Sequence, residues 1–223
     1  MGFFIGVFYP LIVNLFLCFC FRVVWGFGAV ESAQPPNERG KKKGELIMIT
    51  TILIALSLVI FVAYNAIMNI KFGYSKSLSA TYYLLPNKWR WVFTLFMWAC
   101  GLLLMPAWIE VSESFGDWRT NLTFLSFFTC ALICFVGAAP NFRAFKMESM
   151  VHTISATAAA VTALLWCFIC GWDTMYVPIF AIGVVALVAW KSKTFKECKT
   201  YWLEMMAFGA TYGSVLINSL ILL

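Results

Sequence analysis

Residues 140–170 read PNFRAFKMESMVHTISATAAAVTALLWCFIC and hold the only histidine of the chain, His152. The second half of the stretch is the apolar span richest in small residues. Ser155, Ala159 and Ala163 are spaced four apart, so on a helix they share one face. In lipid, small residues at this spacing let neighbouring helices approach closely, because no hydrophobic force drives the helices together. The stretch therefore predicts a tightly packed transmembrane helix.

The composition extends this prediction to the whole chain. Hydrophobic residues make up 62% of the sequence and charged residues 12%, far from the average of soluble proteins. The apolar residues form continuous runs of roughly 18–25 residues, each long enough to cross a ~30 Å hydrocarbon core as a helix. They do not alternate in the manner of membrane barrels. The chain is predicted to be all-α, a polytopic transmembrane helical bundle whose main partner is the lipid bilayer.

Seven spans are predicted, in three segments. An N-terminal helix occupies 1–28, with its apolar run at about 3–25. A cleaved signal peptide is disfavoured there because no basic region precedes the run. The polar stretch 29–45 contains two prolines and a basic cluster, which indicates a flexible linker. A six-span core follows at 46–223, with spans expected at about 46–70, 91–109, 122–139, 151–170, 175–190 and 201–223.

The basic residues indicate an orientation. The loops after spans two, four and six carry about ten Lys and Arg, and those after spans three and five carry about one. Cytoplasmic loops are enriched in these residues, which places the N-terminus in the cytoplasm. The Lys41–Lys43 cluster argues the other way. The net charge of +6 suits contacts with anionic lipid headgroups, and no nucleic-acid partner is expected.

Nine polar residues are expected at one face of the membrane. They are Asn65 and Asn69 at the end of span two, Ser77, Ser79 and Tyr82 in the loop after it, Asn141, Glu148 and His152 around the start of span five, and Glu204 in the first turn of span seven.

Glu148 and His152 lie one helical turn apart and so on the same helix face. Ionisable groups within spans are costly and usually face the bundle interior or a water-filled cavity. The leading hypothesis is a polar vestibule that binds or transports a small molecule or a lipid. The alternative is that these residues are hydrated at the interface and serve only topology and helix capping, since a carboxylate near a helix N-terminus is favoured by the dipole alone.

Two cysteines suggest a second function. Cys167 and Cys170 form a CxxC pair at the end of span five, as in membrane thiol oxidoreductases that exchange electrons with a quinone. No loop holds a second pair, and buried cysteines usually act as small apolar residues. Inert packing is therefore the competing interpretation. A third hypothesis is a non-catalytic assembly subunit.

Several enzyme classes do not fit. A zinc hydrolase of the intramembrane ceramidase kind needs several histidines, and the chain has one. No phosphate-binding loop, dinucleotide motif or nucleophile elbow occurs. The last span has no lysine for a retinal Schiff base. No metal or cofactor is expected, and the protein is not expected to be an enzyme.

The six-span core resembles the DRAM-like superfamily and its bacterial relatives over residues 46–220. The similar features are the loop SKSLSATYY after the first core span and Pro140 ahead of the fourth, which has His152 near its start. The bacterial relatives often carry an acid shortly after the proline, whereas Asn141 and Phe142 stand here. The resemblance implies a six-span membrane architecture and supplies no substrate.

Overall fold

The computed structural model describes residues 36–170, 176–191 and 196–221. Most of these residues are helical and none lies in a strand, which confirms the all-α helical bundle. The helices are α1 (Pro36–Phe72), α2 (Thr81–Leu84), α3 (Trp91–Glu113), α4 (Thr123–Ala138), α5 (Lys146–Cys170), α6 (Tyr176–Lys191) and α7 (Lys199–Ile221). The chain divides into two compact units, Met1–Leu46 and Ile47–Leu223, and the packing described below lies within the second.

Among the described residues, four helical segments are long and apolar enough to cross a membrane: Met48–Phe72, Asn87–Glu113, Trp118–Ala138 and Lys146–Ile169. About 20 apolar residues are needed for one crossing, so this part of the chain suits an integral membrane protein. The six-plus-one arrangement is not confirmed, because α6 and α7 are not among these segments. The first predicted span, 3–25, lies outside the described residues.

Helix α1 begins earlier than its sequence suggests. The stretch 29–45 was expected to be a flexible linker, yet the helix starts at Pro36. Proline suits the first turn of a helix, where its missing N–H has no partner to bond. The Glu, Arg and Lys residues that follow are good helix formers and outweigh the two glycines among them. The stretch from Pro36 onward is therefore helical in the structure, and residues 29–35 lie outside the described part.

The outer surface of α1 is apolar. Ile52, Val59 and Ile67 are 56%, 62% and 62% exposed, and they recur along one side of the helix. Large contiguous apolar surfaces are rare on soluble monomers. This face is therefore suited to contact with lipid chains.

Helices α3 and α4 pack most closely, through two glycines. A Cβ atom on Gly137 would lie 2.8 Å from Met97 Cβ, and one on Gly101 would lie 2.9 Å from Cys134 Sγ. Where these glycines bring the backbones together, Thr94 Oγ1 donates a hydrogen bond to the Gly137 carbonyl at 2.9 Å. The pair sets the position of α4, and α5 packs on its other side.

A buried hydroxyl pair ties α1 to α7. Ser57 Oγ and Tyr212 Oη lie 2.6 Å apart, and the serine also donates to the Cys100 carbonyl of α3 at 3.1 Å. Polar groups buried in an apolar interior are costly unless bonded. The contacts therefore fix the relative register of three helices.

Candidate functional site

The segment 73–85 closes the end of the bundle at which α1 finishes and α5 and α7 begin. It leaves α1 through Gly73, whose φ of 73° suits glycine because it has no Cβ. Leu78, Ser79 and Tyr82 are 2%, 5% and 3% exposed. The predicted vestibule is therefore not an open, water-filled mouth in this conformation. A buried loop occupies it.

Asn65 and Asn69 both form hydrogen bonds with the hydroxyl group of Tyr201. Tyr201 Oη donates a hydrogen bond to Asn65 Oδ1 at 3.2 Å and accepts one from Asn69 Nδ2 at 2.7 Å. The other end of the Asn65 amide donates to the Phe61 carbonyl at 2.8 Å. The two asparagines therefore join the end of α1 to the start of α7, and their polar atoms face protein groups.

Glu204 holds the closing segment in place. Its Oε2 accepts a hydrogen bond from the Leu78 N–H, and the Tyr201 N–H donates to the Lys76 carbonyl at 3.1 Å. Ser77 acts within the segment, where its hydroxyl accepts the Ala80 N–H at 3.0 Å. Among the described residues no cationic side chain lies within ion-pair distance of Glu204. Its carboxyl group is thus bonded to the backbone without charge compensation.

Glu148 and His152 face the connection between α4 and α5. Glu148 Oε2 accepts the Asn141 N–H at 3.0 Å. His152 Nδ1 lies 3.0 Å from the Ala139 carbonyl, and its ring stacks on Phe142 with centroids 4.4 Å apart. Both side chains therefore satisfy backbone groups near the end of α4, as helix-capping groups do.

Tyr82 lies against the start of α3. Its ring makes an edge contact with Phe93 at 6.1 Å, and the Arg90 guanidinium lies 5.2 Å from its centroid. Burial raises the pKa of the Tyr82 phenol above its ordinary value, and the charge on Arg90 opposes this only in part. The phenol therefore stays neutral at physiological pH.

The nine predicted residues form separate contact groups at one end of the bundle. No hydrogen bond or ion pair between described residues joins Glu204 to Glu148 or His152. The structure brings Ser79 close to Glu204, because both line one cavity. It does not bring the carboxylate and imidazole of α5 into that cavity.

The cavity lies among α3, α4, α5, α7 and the closing segment and has a volume of about 60 Å³. A water molecule needs roughly 10–15 Å³ of such space. Ser79 and Glu204 line it at the closed end of the bundle, and its walls extend to Ala163 of α5 and Thr211 of α7. From Glu204 to Thr211 the helix rises about 10 Å. The cavity is therefore a narrow and mostly apolar slot, hereafter the slot, with Ser79 and Glu204 at one end and the threonines Thr129 and Thr211 farther along.

The small-residue face of α5 forms one wall of the slot. Ser155, Ala159 and Ala163 are buried, as the spacing suggests. However, Ala159 and Ala163 border the slot together with Ala156 and Ala160. The small side chains thus leave space between α5 and α7 that no other described side chain fills.

Sequence reasoning missed some of these residues. Ala156 and Ala160 form a second small-residue series within the same stretch, and a wider small face on α5 would have been its signal. Tyr201 was assigned only to a span boundary. Its role depends on asparagines 132 and 136 residues earlier, so no local pattern could have indicated it.

The predicted CxxC pair is described for one of its two cysteines. Cys167 is fully buried, and its thiol faces the Ala210 carbonyl of α7 at 3.8 Å. The Cys167 thiol therefore lies in the interior, against α7. The side chain of Cys170 lies outside the described residues. Within the described part of the chain, no group of three or more His, Cys, Asp or Glu could hold a metal ion.

Comparisons with family models, curated proteins and solved structures return no match for this chain. The resemblance to the DRAM-like superfamily therefore stays a prediction.

Proposed function

We propose that this is an integral membrane protein that binds a single-chain amphiphile, with the first part of the apolar chain in the slot and the head beside Ser79 and Glu204. The observation that carries the proposal is the slot itself. Protein interiors are close-packed, with few voids larger than a water molecule, and apolar cavities stay dry and accept apolar guests. A space between α5 and α7 with a carboxyl group at one end suits such a ligand.

The polar side chains in the slot indicate which head group the ligand carries. Alanines and other apolar side chains line most of its length, and the polar groups Ser79 and Glu204 are at its closed end. The hydrogen bond that Glu204 accepts among described residues comes from a backbone N–H. A hydrogen-bond donor would complement this carboxylate, and a cation would do so more strongly. We therefore infer a ligand headed by an ammonium or hydroxyl group.

We propose the seven-span arrangement as the setting of this site. In it α6, α7 and the N-terminal segment cross the membrane together with the four long apolar segments. The distribution of Lys and Arg supports a cytoplasmic N-terminus. The closing segment then lies at the cytoplasmic face, and the ligand enters from that leaflet. Reporter fusions to the 73–85 and 114–117 connections would test the arrangement, since they must report opposite sides.

Filling the slot should abolish ligand binding. In the full chain in lipid nanodiscs, Ala160→Phe is expected to weaken binding of radiolabelled decylamine at least about tenfold, because its ring would occupy the space that the chain needs; tenfold corresponds to about 1.4 kcal/mol. The matched control is Val161→Phe on the same helix, where the side chain is 51% exposed. The proposal fails if the two folded variants bind decylamine equally.

Removing the charge of Glu204 should change head-group preference. The native protein is expected to bind decylamine about tenfold more tightly than decanoate, because like charges repel in a site of low dielectric. Glu204→Gln should reduce this ratio to near one while leaving the fold intact, since the amide oxygen can still accept the Leu78 N–H. An unchanged ratio would exclude Glu204 from the head-group site.

A further inference from the structure

Two arginines from distant parts of the chain lie around the ring of Tyr83. The guanidinium carbons of Arg90 and Arg143 lie 5.8 Å and 4.5 Å from its centroid. Their separation cannot exceed the total of these two distances, about 10 Å. Tyr83 also holds the second arginine through the backbone, since its hydroxyl accepts the Arg143 N–H at 2.7 Å. The tyrosine thus places two positive charges next to each other.

Neither Arg90 nor Arg143 forms an ion pair with a carboxylate in the part of the chain that the structure describes. In the described residues the ion pair present is Arg119 with Asp117, at the opposite end of the bundle. The Nε of Arg90 is buried and has no hydrogen-bond partner. The carboxylate of Glu148 lies at the same end, but it bonds the Asn141 N–H and pairs with neither arginine. The positive charges of Arg90 and Arg143 are therefore not offset by a carboxylate of the described residues.

The surroundings of the two arginines suit the headgroup layer of a bilayer. Arg90 is also the residue that precedes α3, and no side chain caps the first turn of that helix. The positive end of the helix dipole favours an anion there. Trp89 and Trp91 flank Arg90 and are 49% and 56% exposed, with rings stacked at 6.2 Å. Exposed tryptophans are enriched at the membrane–water interface.

We propose that Arg90 and Arg143 bind the phosphate group of an anionic phospholipid, with Tyr83 as the positioning residue between them. The exposed Arg143 turns towards the phosphate, and the guanidinium of Arg90, on the other side of the Tyr83 ring, adds a second positive charge. Trp89 and Trp91 lie beside the glycerol and upper chain region. This lipid site is separate from the slot, and neither requires the other.

The test compares the binding of an anionic phospholipid, a zwitterionic phospholipid and inorganic phosphate. The full chain in detergent is titrated with short-chain phosphatidylglycerol, phosphatidylcholine and inorganic phosphate, and bound lipid is counted by native mass spectrometry. We expect phosphatidylglycerol to bind at least about tenfold more tightly than phosphatidylcholine, and Arg90→Gln or Arg143→Gln to remove most of this preference. Lys71→Gln removes the same charge at the same end of the bundle and should leave the preference nearly unchanged.

Three results would overturn the proposal. If Lys71→Gln loses as much of the preference for phosphatidylglycerol as the two arginine variants do, the preference reflects general surface charge. Binding of inorganic phosphate as tight as that of phosphatidylglycerol would indicate a site for a free anion. If the native protein binds phosphatidylglycerol and phosphatidylcholine equally tightly, it has no such site. If Arg90→Gln does not fold, Arg143→Gln decides the matter, because Arg143 is exposed and its substitution leaves the core intact.

Discussion

Replacing Trp166 by alanine is expected to lower the free energy of unfolding by about 3–5 kcal/mol, the usual cost of deleting a large buried aromatic side chain. Trp166 is fully buried in α5 and makes an edge contact with Trp108 of α3, with ring centroids 5.2 Å apart. Its Nε1–H donates to Ser112 Oγ at 2.9 Å. Folded domains are stable by only about 5–15 kcal/mol, so the variant should lose much of its stability.

The hydrogen bond of Trp166 can be separated from its packing. Ser112 Oγ donates to the Trp108 carbonyl at 2.8 Å, which leaves its lone pairs for Trp166 and for Ser126 at 2.8 Å. Trp166→Phe removes the hydrogen bond that Trp166 donates to Ser112 Oγ but leaves Ser112 bonded to Trp108 and Ser126. It should therefore lower the free energy of unfolding clearly less than Trp166→Ala does. Trp118→Ala is the matched control, because Trp118 is 63% exposed. The free energies of unfolding of the three variants can be measured in mixed micelles. Equal decreases for Trp166→Ala and Trp118→Ala would contradict the placement of Trp166 in the core.

Replacing Gly137 by alanine is expected to lower the free energy of unfolding by about 1–3 kcal/mol, the typical cost of overpacking. The new Cβ would lie 2.8 Å from Met97 Cβ and 3.1 Å from Trp98 Cδ1. Both contacts are too short, so α3 and α4 must move apart. Their separation would also stretch the bond from Thr94 Oγ1 to the Gly137 carbonyl.

Gly209→Ala is the matched control for this substitution. Gly209 is also helical, and a Cβ there meets nothing within 4 Å. Because alanine is the better helix former by about 1 kcal/mol, this variant should be as stable as the native protein or slightly more so. The melting temperatures of the two variants in detergent should therefore change in opposite directions. A loss of stability at Gly209 equal to that at Gly137 would contradict the close approach of α3 and α4.

The helices were largely predictable because each is encoded by its own stretch of sequence. The span expected at 91–109 lies within α3, and the one at 122–139 covers α4 with a residue to spare at each end. The start of α5 was placed five residues late, at 151, because hydropathy does not register the polar first turn that begins at Lys146. Continuous apolar runs therefore predict the helices, and their polar ends are the least certain part.

The candidate site was predictable as a list of residues but not as an arrangement. Position at a span end places Glu148, His152 and Glu204 at one end of the bundle. Only their partners decide what they do, and those partners are backbone groups of Asn141, Ala139 and Leu78. Backbone groups carry no sequence signal, so the separation into contact groups could not have been expected.

The sequence by itself determined that this protein is an all-α bundle with apolar helices suited to a membrane, because hydropathy acts over each local run of residues. Only the tertiary structure decided that a loop is buried at the end of the bundle and that a slot lies behind it. Both depend on contacts such as that between Leu78 and Glu204, which are 126 residues apart. Such contacts form because packed helices bring distant residues together, and no local pattern of residues encodes them.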